Sequence, residues 1–143
     1  MIQSVIAGMV AAIRTEYDKS SYRIYTDSVE QGLKEPCFSI MCLKPSRERK
    51  LNRRYKDISS FMVQYFPKSY DEAQEECMTV CEALYDVLDV ITVDGVRLQG
   101  TEMSGQVVDG VLQFQVNYIQ MLMRTMAEDV KMDGVQVNAV GKE

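Results

Sequence analysis

Residues 109–118 read Asp109-Gly110-Val111-Leu112-Gln113-Phe114-Gln115-Val116-Asn117-Tyr118. Asp109-Gly110 is a hairpin-type dipeptide, because both residues tolerate the positive φ that a two-residue turn requires. Beyond it Leu112, Phe114, Val116 and Tyr118 alternate with Gln113, Gln115 and Asn117. Successive side chains of a strand point to opposite sides, so this spacing predicts a strand with one buried and one polar face. Working backwards, 96–108 is strand-compatible although Gly100 and Gly105 interrupt it, and Asp94-Gly95 repeats the turn dipeptide. Strands joined by tight turns therefore follow one another in this part of the chain.

Upstream lies a helix. Ser69 and Glu72 have the S-x-x-E spacing of a capping box, in which the serine caps an amide and the glutamate reaches back. Ala73, Cys77, Val80, Cys81, Leu84 and Leu88 then line one face, with Ile91 continuing it. The acids Asp71, Glu72, Glu75, Glu76, Glu82 and Asp86 fall mostly elsewhere, and those in the first turn suit the helix dipole. The spacing predicts a helix over 70–89. At the N-terminus Ile2, Val5, Ile6, Met9, Val10 and Ile13 form a second apolar stripe, predicting a helix over 2–17.

Between the helices, 22–26 reads as a short strand, 27–36 as a polar connection and 37–43 as a central strand that Pro45 closes. Residues 54–66 are polar first and apolar later, as expected of a strand that starts in solvent and ends in the core. With 37–43 they form a hairpin whose long tip is 44–54. The order α-β-β-β-α-β-β-β predicts an α+β single domain: a mostly antiparallel sheet of four or five strands with two helices packed on one face. Residues 1–122 are read as this domain. Residues 123–143 are read as a C-terminal extension, with a short helix around 125–132 and a tail that orders on assembly.

Charge is unevenly placed. The net charge is −5, yet 44–54 carries Lys44, Arg47, Arg49, Lys50, Arg53 and Arg54 against Glu48 alone. The remainder is strongly acidic and repels nucleic acid and anionic membrane. The basic segment is read as a solvated, mobile loop or a contact with an acidic neighbour, and phosphate binding is the competing reading. There is no histidine, which removes the usual general base at neutral pH and the commonest metal ligand. Ser-His-Asp and Cys-His catalysis are thereby excluded. No Walker loop, G-x-G-x-x-G or H-E-x-x-H is present. The sequence thus offers no catalytic, cofactor-binding or metal residues.

Cys37, Cys42, Cys77 and Cys81 lack zinc-knuckle spacing and are expected to be reduced and free of metal, with Cys77 and Cys81 on the buried face of the second helix. No stretch approaches the ~20 apolar residues of a membrane span, no basic segment precedes Ile2 and polar residues punctuate the apolar ones, as they would not in a signal peptide, so a cytoplasmic site of synthesis and assembly is expected.

Three stretches carry a family resemblance: Glu30-Gln31-Gly32-Leu33-Lys34-Glu35-Pro36-Cys37-Phe38, Gln64-Tyr65-Phe66-Pro67, and Val108 through Phe114 leading into Val116-Asn117-Tyr118. With the two helices they resemble, over about residues 1–120, a tail terminator family of phages and prophages of low-GC Gram-positive bacteria. The resemblance implies a structural protein that caps the growing tail tube, stops its polymerisation and presents a surface to the head connector. It implies a hexameric ring at the head-proximal end, with the tube protein as partner, the sheath and head–tail connector as further neighbours, and DNA only as cargo through the lumen. Headless tail-like bacteriocins use the same part. No active site is transferred. Arg47, Arg49, Lys50, Arg53 and Arg54 are the expected subunit or tube contacts. Competing readings are another neck or tail-completion subunit, and a nucleic-acid-binding protein using 44–54.

Overall fold

A computed structural model describes residues 2–26 and 35–123. The expected short helix around 125–132, the tail and most of the 27–36 connection lie outside the described residues. The elements are α1 (Ile2–Arg14), β1 (Arg23–Tyr25), β2 (Cys37–Arg49), β3 (Arg54–Phe66), α2 (Ala73–Val87), β4 (Val90–Val93), β5 (Val96–Val108) and β6 (Val111–Met123). Their order is the one read from the sequence. Among the described residues the sheet has six strands, not four or five, in the order β1-β2-β3-β6-β5-β4. All neighbours are antiparallel except β1, which pairs parallel to β2 over Arg23–Tyr25 and Cys37–Ser39.

Alternation selects the face that the helices cover. On β2 Phe38 and Ile40 are buried, on β3 Phe61, Val63 and Tyr65, and on β6 Leu112, Phe114, Val116 and Tyr118. The register places Val63 opposite both Ile40 and Phe114, so these side chains share one face across three strands. Val5, Ile6, Met9 and Ile13 of α1 and Cys77, Val80, Cys81 and Leu84 of α2 complete the core. Each large apolar side chain so buried contributes about 1.5–3 kcal/mol. Both expected Asp-Gly turns are present, with positive φ at Asp94, Gly95, Asp109 and Gly110.

Gly100 and Gly105 do not break β5; they let α2 approach it. A Cβ on Gly100 would stand 2.8 Å from the Leu88 carbonyl oxygen, and one on Gly105 would stand 2.7 Å from Cys81 Sγ. Instead β5 is kinked between Thr101 and Ser104, where Glu102 takes a positive φ and two residues oppose one on β6.

Three local expectations are corrected. Pro45 does not close β2. Among the described residues β1 covers only Cys37–Ser39, so the far side of β2 from Ile40 onward is an open edge, where a missing N–H is tolerated. The register also shifts between Cys42 and Lys44, as at a bulge. The capping box is half made. Ser69 Oγ accepts the Glu72 amide at 3.2 Å, but Glu76 is the residue that reaches back, accepting the Lys68 amide (2.9 Å), the Ser69 amide (3.3 Å) and the Tyr65 hydroxyl. The helix accordingly starts at Ala73, and Ile91 belongs to β4.

Candidate functional site

The basic segment is not a loop. Its residues extend β2 to Arg49, and β3 begins at Arg54, with pairs from Lys44↔Ser60 to Arg49↔Tyr55. The end of β6 runs alongside, from Ile58↔Ile119 to Arg54↔Met123. The result is a three-stranded arm that continues the sheet past the helices. Like charge does not prevent this, because neighbouring strand residues alternate between faces and acidic partners are built in.

The pairing is specific. Arg47 Nε donates to Asp57 Oδ1 at 2.6 Å and Nη2 donates to Oδ2 at 2.9 Å, a bidentate contact across the two strands. The same guanidinium lies 4.1 Å from the centre of the Tyr55 ring. The hydrogen bonds to Asp57 push the Arg47 pKa up. Lys50 Nζ lies 3.1 Å from Glu48 Oε1 and holds that carboxyl below the usual range. The tip is a tight turn: the Arg54 amide donates to the Leu51 carbonyl at 3.2 Å, and Asn52 and Arg53 both take positive φ. Asparagine adopts this conformation readily, which was a signal for the turn.

Of the five expected contact residues, Arg47 is committed within its own subunit. Arg49, Lys50, Arg53 and Arg54 are gathered at or beside the tip, all exposed. Sequence reasoning missed the apolar side chains that join them there. Leu51 is 83% exposed at the turn, and Met121 and Met123 are 62% and 58% exposed on the β6 edge of the arm. The register puts Arg54 opposite Met123 and Lys56 opposite Met121. A surface that mixes arginine with methionine and leucine resembles a protein contact more than a phosphate groove.

Where the arm leaves the body, Ile2, Pro45, Ser46, Arg47, Asp57, Ser59 and Gln120 line a shallow cleft. It is the seam between the start of α1 and the arm, and it gathers no set of catalytic groups. Among the described residues no three His, Cys, Asp or Glu side chains are grouped to hold a metal ion. Cys37, Cys77 and Cys81 are buried and Cys42 half-buried, all as free thiols. Burial raises each of their pKa values, that of Cys37 to about 11. Among the described residues no helix is long and apolar enough to cross a membrane.

A comparison with curated proteins finds no match. One solved structure resembles the chain with a TM-score of 0.46 and 12% identity, over 87% of this chain and 96% of that one. The model of a family described as phage tail terminator protein matches residues 4–130. That span takes in nearly all of α1, every strand and the whole arm. With the α+β architecture, the match establishes a structural role in phage tail assembly: the chain belongs to the phage tail terminator protein family.

Proposed function

We propose that this protein caps the tail tube and terminates its polymerisation, as a hexameric ring at the head-proximal end. The family match over residues 4–130 is the observation that carries the reading. The arm supports it, because a strand-paired extension ending in Arg49, Lys50, Arg53, Arg54 and Leu51 suits contact with a neighbouring protein. Net charge supports it too. A ring with an acidic body lets DNA pass through its lumen without tight contact. The partners are further copies of this chain and the tube protein, with the sheath and the head–tail connector as neighbours. Assembly takes place in the bacterial host cytoplasm, and no catalytic step is involved. Phages, prophages and headless tail-like bacteriocins all provide a tube to be capped.

Removing the gene from the tail-producing bacterium tests this reading. Tubes of uncontrolled length are expected, and restoring the gene in trans should restore uniform length. Tails of normal length without the protein would move the assignment to another neck or tail-completion subunit. The basic tip motivates one further reading, direct binding to nucleic acid. Its mark is salt-dependent retention of duplex DNA by the purified protein, since phosphate neutralisation releases counterions.

A further inference from the structure

The charge of this chain is separated in space. The arm concentrates basic residues, with seven of the sixteen lysines and arginines of the chain between Lys44 and Lys56. Residues 71–95, by contrast, hold eight acids and neither lysine nor arginine. Most of those acids lie on α2 or flank it, and Glu75, Glu82, Asp86 and Asp89 are exposed. They share the outer side of the helix with Met78 and Tyr85, exposed by 38% and 39%. Positions 75, 78, 82 and 85 recur at three- and four-residue spacing, and Asp86 stands one turn beyond Glu82, so they form one stripe along the helix. Tyr85 is held in place because its ring packs edge-on against Phe114 at 5.1 Å. The stripe is acidic with an apolar centre. The arm tip is basic with an apolar centre in Leu51, Met121 and Met123.

One subunit cannot bring these two surfaces together. The end of α2 is fixed at the level of Tyr118, whose hydroxyl donates to the Leu88 carbonyl at 2.6 Å. Tyr118 pairs with Ser59. At about 3.3 Å per strand residue, Arg54 therefore lies about 17 Å beyond that level. Glu82 lies in the other direction, because its neighbour Cys81 packs over Gly105, which pairs with Phe114. Phe114 pairs with Val63, and the nine strand steps from Val63 to Arg54 span about 30 Å. The arm and the stripe occupy opposite reaches of the sheet, and Arg49 and Arg54 make no ion pair among the described residues.

We infer that the arm tip of one copy docks on the α2 stripe of the next, pairing Arg49 and Arg54 with Glu82 and Asp86 around a contact of Leu51 with Met78 and Tyr85. The inference rests on the ring proposed above and names the two faces that build it. Because different patches meet, the contact is head-to-tail, the kind that closes into a ring when the rotation allows. Charge complementarity makes a second copy the occupant: one surface of this chain supplies what the other lacks.

Charge reversal with rescue tests the contact in the tail-producing cell, read as the amount of the protein in purified tails. The arm variant carries R49E and R54E; the helix variant carries E82K and D86K. Either alone should lower incorporation about tenfold or more, since like charges then face each other. The chain carrying all four substitutions should recover. So should co-expression of the two double variants, because a ring alternating between them meets opposite charge at every contact. The helix variant places lysines toward the helix C-terminus, where the dipole favours them, so it should fold. Unchanged circular dichroism of both purified variants checks this. Loss without rescue in either combination would overturn the inference and point to the tube as the partner of the arm. Unimpaired incorporation of both double variants would overturn it equally. Tail length after gene removal is a separate readout, so failure of the terminator reading and failure of this contact are distinguishable.

Discussion

Arg47 and Asp57 face each other across β2 and β3 as a two-pronged ion pair, 2.6 Å and 2.9 Å, with Tyr55 beneath the guanidinium. The pair sits midway along the arm. Its work is therefore local: it holds the two strands in register where the arm leaves the body beside the start of α1. Replacing Arg47 with Ser should speed amide hydrogen exchange at residues 46–57 and leave exchange in α2 unchanged, since local opening is governed by local contacts. Replacing Arg49 with Ser should leave arm exchange at its wild-type rate. Equal effects of the two substitutions would contradict this division between an internal and an external arginine.

Glu76 ties the end of β3 to the start of α2 through Tyr65, Lys68 and Ser69. Burial pushes its carboxyl up, but the hydroxyl and the two amides outweigh that, and its pKa falls below the ordinary 4.5. A lowered folded-state pKa adds stability that is complete above the unfolded value and is lost as pH falls through the folded one. Glu76→Gln should therefore destabilise the protein by about 1–3 kcal/mol near neutral pH. It should also flatten the fall of stability below pH 4.5, as seen by urea denaturation across that range. A parallel pH profile in wild type and variant would count against this role.

Gly100 lies where the Leu88 carbonyl meets the sheet. Gly100→Ala should cost about 1–3 kcal/mol, because a Cβ 2.8 Å from a backbone oxygen forces α2 outward. Tyr118→Phe removes the hydroxyl from the same carbonyl and should cost on the order of 1 kcal/mol. The two substitutions touch one atom, so their effects should fail to add. Strict additivity in a double-mutant cycle would show that the two contacts are independent.

Local patterns were legible and long-range ones were not. Leu112, Phe114, Val116 and Tyr118 announce their strand because alternation is a property of neighbouring residues, and the Asp-Gly turns announce themselves through backbone freedom. The parallel partnership of β1 with β2 sets residues fourteen apart, such as Arg23 and Cys37, side by side and has no local signature. Pro45 was misread because tolerance of proline depends on whether a strand is an edge, which is a fact about the sheet. The basic run reads as a loop because Asp57, which neutralises Arg47, lies outside it in sequence. Arg49, Lys50, Arg53 and Arg54 were legible as a cluster of charge. Leu51 stands within that charge run, but Met121 and Met123 join the surface only because the register brings β6 beside β3.

Cys81 lies under Gly105, and Cys77 Sγ is 3.7 Å from the Gly110 carbonyl. Burial pushes both thiols up. At about pH 8 both should alkylate far more slowly in the native protein than in urea, because the thiolate is the reactive form. Cys81→Ser should destabilise by on the order of 1–3 kcal/mol, through a hydroxyl placed among apolar neighbours. The purified protein should contain neither zinc nor a disulfide. Stoichiometric metal, or a mass lower by the hydrogens of a disulfide, would contradict this reading of the four cysteines.

The claim that the protein caps the tube is tested most directly by locating and counting it on purified tails, by electron microscopy of a tagged chain together with quantitative mass spectrometry. The account predicts a single sixfold ring at the head-proximal end, in a number independent of tail length. Copies distributed along the tube in proportion to its length, or confined to the distal tip, would contradict it.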